Sequence, residues 1–294
     1  MALQLSSSVR QIRSPLSVWP HPRRPAPHRL SFSRPTCGPS FTVSLRVIAG
    51  NQFAVVQRRG HATILVSAAT DAVAVNRAIG LGFEQPLSAP QLTDLRAFYQ
   101  RQGKGRWFVE CSPDAAIDPA DLLGAGGVRG GSQIKLVARL DTLANLPSPG
   151  VEVVEALPAD RAAYMDLVGS TLGVPEPVRP GIVSTIGHPG WHFYFAVAES
   201  RAVAGAAMCV QEPGAWFGLA ATLPMFRNRG AQTALLLRRL QDARAAGCQW
   251  VSAEASPETT TPNPSLRNMK RLGLRELYHR PWYGFQNEHS RPSA

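Results

Sequence analysis

Aspartate, glutamate and lysine are missing from the first 70 residues, which carry nine arginines. The net charge of +11 therefore belongs mostly to the amino-terminal end. From Asp71 onward, 22 basic side chains meet 20 acidic ones, a net of +2. A globular part this near neutrality lacks the positive face that a phosphate backbone needs, so nucleic acid is not an expected partner. Long hydrophobic runs are missing as well. The longest, such as Ala202 to Val210, are strand-sized, which excludes a membrane-spanning helix. Cysteine is scarce. Cys37, Cys111, Cys209 and Cys248 are widely spaced and form no C-x-x-C pair. That pattern speaks against a disulfide framework and against zinc, and for buried thiols in a reducing, cytoplasmic setting. No G-x-S-x-G occurs, so a hydrolase triad has no support. His188 and His192 are four apart, but Pro189 and Gly190 between them forbid the helix a zinc pair would need, and no metal is expected.

What is present is a chain of two folded parts with tails. Residues 1–42 are rich in Ser, Pro and Arg and read as a disordered tail or an over-extended gene start, with a transit peptide as the second reading. Residues 43–142 form a first α/β unit. It contains strands at Ala62–Val66, Arg106–Cys111 and Ile134–Ala138, a helix over Gln91–Tyr99 and a short one over Asp118–Leu123. The glycine cluster Gly124–Gly131 follows a helix and precedes a strand, the reverse of a phosphate cradle, and reads as a flexible connection. Leu143 to Gly150 is the candidate linker.

A second unit spans 150–285, followed by a tail over 286–294. It begins with a strand at Val151–Val154 and helical material over Ala159–Leu172 and Gly181–Ile186. Three strands follow as a meander: Trp191–Ala198, Ala202–Val210 and Ala215–Leu223. Trp191, Phe193 and Phe195 alternate along the first of them and read as core. A long helix runs from Arg229 or Gly230 to Ala246 and stops at Gly247. Its apolar stripe is Thr233, Leu236, Leu237, Leu240 and Ala243. A strand at Gln249–Glu254, a helix at Ser265–Leu272 and a strand at Leu274–Tyr283 complete the unit.

The junction Leu223 to Leu236 carries the chemistry. An apolar strand ends, a short loop with Arg227, Arg229 and Gly230 follows, and a helix begins. Unpaired N–H groups and the positive end of the helix dipole meet there, a site suited to a phosphate or pyrophosphate.

With this order of elements the second unit resembles the GNAT acetyltransferases. Their signature loop is Gln/Arg-x-x-Gly-x-Gly/Ala. Arg227-Asn228-Arg229-Gly230-Ala231-Gln232 matches the first two fixed positions, and Gln232 departs from the third. Asn263 to Leu274 resembles the family's second signature, an Asn-containing helix ending in Gly and an apolar residue. The first unit resembles the amino-terminal half of tandem members, with Asn76–Gly82 as a second-signature-like piece and no phosphate loop.

The resemblance implies a mixed α/β fold, complete in the second unit and partial in the first. It implies acetyl-CoA as co-substrate and a primary amine as acceptor. By it, Ala220, Ala221, Thr222 and Leu223 lie along the pantetheine. Arg227, Arg229, Gly230, Ala231, Gln232 and Thr233 surround the pyrophosphate, and Ser265 and Asn268 approach from the second helix. Amine acetylation needs a neutral amine and help for the departing thiolate. The third meander strand has no carboxylate, so Glu254 is the nearest candidate base, with a solvated strand-end charge as the alternative. Met269 stands where family members often carry an acidic tyrosine, which leaves Tyr278 and Tyr283 as candidate acids or simply as aromatics closing the sheet. The expected activity is direct N-acetyl transfer in a ternary complex; the other reading is a non-catalytic acyl-CoA-binding or scaffold protein. An oligomer is compatible with either.

Overall fold

The computed structural model describes residues 55–287, apart from 60, 68, 73–74, 144–146 and 259–261. The expected tail 1–42, Cys37, residues 43–54 and nearly all of the tail expected at 286–294 lie outside the described residues. In the first half the order is β1 (Val55–Arg59), β2 (Ala62–Val66), β3 (Arg77–Ile79), α1 (Ala89–Arg101), β4 (Arg106–Glu110), α2 (Pro119–Gly124) and β5 (Val128–Arg139). In the second half β6 (Glu152–Glu155) leads into a helical run α3 over 161–172, whose middle, Met165–Gly169, is wound as a π turn. Then come α4 (Arg179–Val183), β7 (Trp191–Ala198), β8 (Arg201–Gln211), β9 (Gly214–Thr222), α5 (Ala231–Ala245), β10 (Trp250–Ala255), α6 (Pro264–Arg271) and β11 (Arg275–Gln286).

The β7–β9 meander follows from local chemistry. Glu199 and Ser200 both take positive φ, 51° and 58°, which gives the two-residue turn that suits the strand twist. β8 is alanine-rich and buried along most of its length because both faces are covered. On one face Leu235, Leu236, Leu240 and Ala243 of α5 pack against Ala204, Ala206 and Met208. On the other, Tyr164, Leu167 and Val168 of α3 pack with Ala207, Cys209 and Trp216. The buried stripe of α5 is Ala231, Ala234, Leu235, Leu236, Arg239, Leu240 and Ala243, so Thr233 and Leu237 lie to one side of the stripe expected from sequence, and Arg239 lies within it.

All eleven strands join one mixed sheet, ordered β1-β2-β3-β4-β11-β5-β10-β9-β8-β7-β6. Its two halves repeat one plan. β3 and β4 are parallel with α1 between them, as β9 and β10 are parallel with α5 between them. Each half then lends its last strand to the other: β5 pairs antiparallel with β10, and β11 with β4, while β5 and β11 pair with each other at the centre.

That exchange explains one departure from expectation, and a second lies in the first half itself. The glycine cluster is not a flexible connection, since β5 starts at Val128, and Trp282 of β11 lies over Gly130 and Gly131 where any side chain would collide. Asn76–Gly82 is not a helix; Arg77–Ile79 is strand β3, buried between β2 and β4, and Asn76 accepts from the Ser67 N–H at 3.0 Å. The sheet also runs past the boundary expected at 285. Gln286 pairs with Arg106, and the buried Asn287 accepts from Trp107 Nε1 at 3.3 Å. Cys111, Cys209 and Cys248 are buried, and burial pushes the Cys111 thiol up to about 12, with Glu110 adding to the effect. Among the described residues no helix is long and apolar enough to cross a membrane.

Candidate functional site

Two strands part at the centre of the second half. β9 and β10 pair in parallel only as far as Phe217 opposite Ala253; beyond that pair β9 continues alone on this side to Thr222. In the same stretch β9 carries a bulge. Gly205 and Ala207 of β8 face Ala221 and Gly218, so one β8 residue opposes both Leu219 and Ala220, and Leu219 takes a φ of +47°. The bulge shifts the alternation of side chains. Phe217 and Ala220 pack towards α5, whereas Leu219 turns to the α3 face. A small residue thereby faces the opening in place of a leucine.

The end of β9 leads through a short turn, Pro224–Phe226, to the start of α5. Asn228 and Gly230 take left-handed φ values of 62° and 84°, which fold the loop back on itself. The first amide bond of the helix runs from Ala234 to the Gly230 carbonyl at 2.9 Å, and the cap residue Gly230 has no side chain to satisfy the amides before it. Three other helices are closed by side chains. Ser88 and Gln91 form a reciprocal cap on α1, and Asp118 and Asn263 cap α2 and α6. The start of α5 therefore keeps its electropositive end without a side-chain cap. The corresponding helix start in the first half carries a side-chain cap at Ser88 and Gln91.

A cavity of about 590 Å³ lies against this helix start. Of the residues expected around a coenzyme, Ala221, Thr222, Arg227, Gly230, Ala231, Gln232, Thr233, Ser265 and Asn268 all line it. Leu223 and Arg229 do not. The Leu223 side chain is partly buried between the two hydrophobic clusters. Arg229 lies over the Phe226 ring at 5.2 Å and reaches the exposed Glu199 at 3.7 Å. Gln232 accepts a hydrogen bond from Asn268 Nδ2 at 2.6 Å, so the residue that departs from the small-residue pattern joins the two signature segments. Gly230 owes its identity to a φ that side chains avoid and to Pro149, whose Cβ would sit 2.7 Å from any Cβ at this position.

The three candidate catalytic residues lie elsewhere. Glu254 belongs to a buried ionic chain that crosses from one half to the other. Arg280 Nη2 is 2.8 Å and Lys135 Nζ 3.6 Å from its Oε1, Arg280 Nε is 2.8 Å from Glu110, and Glu110 also meets Arg77. Burial alone would raise the Glu254 pKa, but the Lys135, Arg280 and Arg77 charges outweigh it and hold the carboxyl below its ordinary value. A carboxylate so occupied links structure and is not poised to take a proton. Tyr278 sits on β11 opposite Lys135, away from the cavity lining. Tyr283 is 3% exposed and packs with Tyr99, Trp107 and Phe285 in the core of the first half. Strand periodicity gave no warning, because β11 leaves the second unit's sheet to pair with β4.

Sequence reasoning missed Arg271, Asn228 and Thr171, which also line the cavity. Arg271 lies at the last turn of α6, with Nη1 3.3 Å from Asn268 Oδ1. Its spacing of three from Asn268 on a helix was the available signal. Among the described residues neither Arg227 nor Arg271 has a carboxylate at ion-pair distance, in contrast to Arg201 and Arg229. The lining contains no Asp, Glu, His or Tyr. The site can thus hold a polyanion by main-chain amides and two arginines, beside an open strand edge that can take an extended amide-bearing chain.

No family model matches the sequence, and no curated protein is similar to it. Solved structures are similar in fold. A GCN5-related N-acetyltransferase from Kribbella flavida superposes with a TM-score of 0.60 at 16% identity, over 86% of this chain and 98% of that one. A GCN5-related N-acetyltransferase from Sphaerobacter thermophilus gives 0.54 at 15% identity, over 79% and 76%. A functionally unknown conserved protein from Staphylococcus epidermidis gives 0.57 at 13% identity, over 79% and 93%.

Proposed function

From a chain that has the fold of the GCN5-related N-acetyltransferases, we propose an enzyme that transfers the acetyl group of acetyl-CoA directly to a primary amine. The observation that carries this reading is the start of α5, without a side-chain cap, facing a cavity with two arginines that have no carboxylate at ion-pair distance among the described residues. The coenzyme pyrophosphate is held by the main-chain N–H groups of the 228–233 loop and helix start, with Arg227 and Arg271 supplying charge. The pantetheine amides pair with the edge of β9 that β10 leaves open, along Ala220 to Thr222. Ser265, Gln232 and Asn268 form the second wall.

In the reaction the amine lone pair adds to the thioester carbon, the carbon–sulfur bond breaks, and the electron pair leaves on sulfur. The nearest lining side chains cannot titrate near neutrality, so the amine proton leaves through solvent and the acceleration comes from juxtaposition and main-chain polarisation. A second reading is favoured by that same lack of lining groups that titrate near neutrality: a protein that binds acyl-CoA without turning it over.

Titration with acetyl-CoA followed by thiol release on a panel of amines separates the two. Saturable binding with thiol release that depends on an added amine supports the enzyme. Tight binding with no release on any amine supports the second reading, and no binding rejects both.

A further inference from the structure

The first half has a cavity of its own at the place that corresponds to the α5 helix start. β3 leads into α1 as β9 leads into α5. At that junction a cavity of about 240 Å³ is bounded by the end of β3, by α1 and by the start of β2. It is less than half the size of the cavity beside α5, and smaller than the roughly 300–1,000 Å³ of sites that take drug-sized ligands. One wall is the turn at Gly80, where φ is +79° and a Cβ would come 2.8 Å from the His61 carbonyl oxygen.

The chemistry of the two cavities is opposite in sign. Beside α5 the helix start has no side-chain cap and arginines line the space. At α1, Gln91 Oε1 accepts from the Ser88 N–H at 2.8 Å in a reciprocal cap, and the lining holds a carboxylate with no arginine or lysine. That carboxylate is Glu84, 51% exposed. The His61 N–H at 3.1 Å and His61 Nε2 at 3.4 Å both meet its Oε1. Among the described residues no lysine or arginine lies at ion-pair distance from Glu84, and Oε2 has no partner. Behind it, buried Ala62, Ile64, Leu87 and Leu95 make an apolar floor.

We propose that this cavity binds a small primary amine, with its ammonium on Glu84 Oε2 and its hydrocarbon part against Ile64, Leu87 and Leu95. The recess takes the hydrocarbon out of water, and charge-assisted N–H bonds to the carboxylate fix the head. An anion entering the same space would meet Glu84 and no arginine or lysine. The first half is then an amine-binding module as well as a support for the shared sheet.

The test is titration calorimetry of the full-length protein with 2-phenylethylamine, without acetyl-CoA. Two probes of similar shape serve as controls: 2-phenylethanol, which is neutral, and 3-phenylpropanoate, which is an anion. The amine binds saturably, the alcohol at least about fivefold more weakly, and the anion not measurably. Glu84→Gln keeps the size of an exposed side chain and weakens the amine at least about fivefold. Gln85→Arg, also exposed and in the lining, sets a cation beside Glu84 and does the same. In the unaltered protein, nuclear Overhauser contacts run from the amine's ring protons to the methyl groups of Ile64, Leu87 or Leu95, a readout that does not depend on either variant folding. No binding up to about 10 mM amine overturns the proposal. So does equal binding of the alcohol, unchanged affinity in both variants, or ring contacts to other methyl groups only. A protein that binds the amine here but fails to bind acetyl-CoA keeps this site and loses the coenzyme assignment.

Discussion

Asn268 donates its side-chain amide to Gln232 at 2.6 Å, tying the first turn of α5 to α6 across the mouth of the cavity. A small residue at 232 would leave Asn268 without this partner, so the two identities belong together. In a double-mutant cycle, Gln232→Ala and Asn268→Ala are expected to be non-additive by about 0.5–1.5 kcal/mol in urea unfolding. Additive losses would mean that the bond does not hold the two segments together.

Arg227 and Arg229 are two residues apart but face different surroundings. Arg227 lines the cavity, whereas Arg229 rests on Phe226 and Glu199. Arg227→Ala is expected to weaken acetyl-CoA binding about three- to tenfold and to flatten its dependence on salt. Arg229→Ala is expected to change affinity by less than about twofold. Titration calorimetry at two ionic strengths reads both; equal effects would contradict the placement of these side chains.

Gly230 is constrained by its backbone and by Pro149 rather than by room for a ligand alone. Gly230→Ala should therefore lower stability by at least about 1 kcal/mol, seen as a fall in Tm, with or without coenzyme. An unchanged Tm would show that the loop accommodates a side chain at φ +84°.

Glu254 contributes to stability through its charge. Its pKa in the folded protein lies below the ordinary value because of Lys135, Arg280 and Arg77, which together overcome the opposing effect of burial. The stabilisation is then complete above the unfolded value of about 4.3 and is lost as pH falls through the lower folded value. Glu254→Gln leaves Lys135 and Arg280 short of a counter-ion and should cost about 3–5 kcal/mol at neutral pH. It should also reduce the acid-side slope of stability against pH. Denaturant midpoints measured from acid to neutral pH test both. A variant as stable as the parent, or with the same slope, would contradict the role of the ionic chain.

Local patterns reveal most elements in this chain because each has its own signal. The two-residue turn at Glu199–Ser200 and Gly247 after α5 fall where turn and cap chemistry require them. Much of the cavity lining was legible for the same reason: Arg227 and Gly230 to Thr233 belong to one contiguous segment, and Ser265 and Asn268 share a short helix. What was not legible depends on pairing across more than a hundred residues. The exchange of β5 and β11 makes Gly130 and Gly131 strand residues beneath Trp282 and puts Tyr283 in the other half's core. It also encloses Glu254 among cations from three other strands. Arg239 follows Leu235 and Leu236 at helical spacing and so falls within the buried stripe of α5, where it donates to the Ala207 carbonyl of β8 and to the Leu235 carbonyl.

On the proposed reading, the main-chain amides at the start of α5 hold a pyrophosphate. A crystal structure grown in excess acetyl-CoA tests it directly. One coenzyme per chain is expected, with its two phosphates against the amides of residues 229–233 and its pantetheine beside Ala220 to Thr222. A structure in which acetyl-CoA lies elsewhere, or in which this helix start stays closed by its own loop at saturating coenzyme, would contradict it.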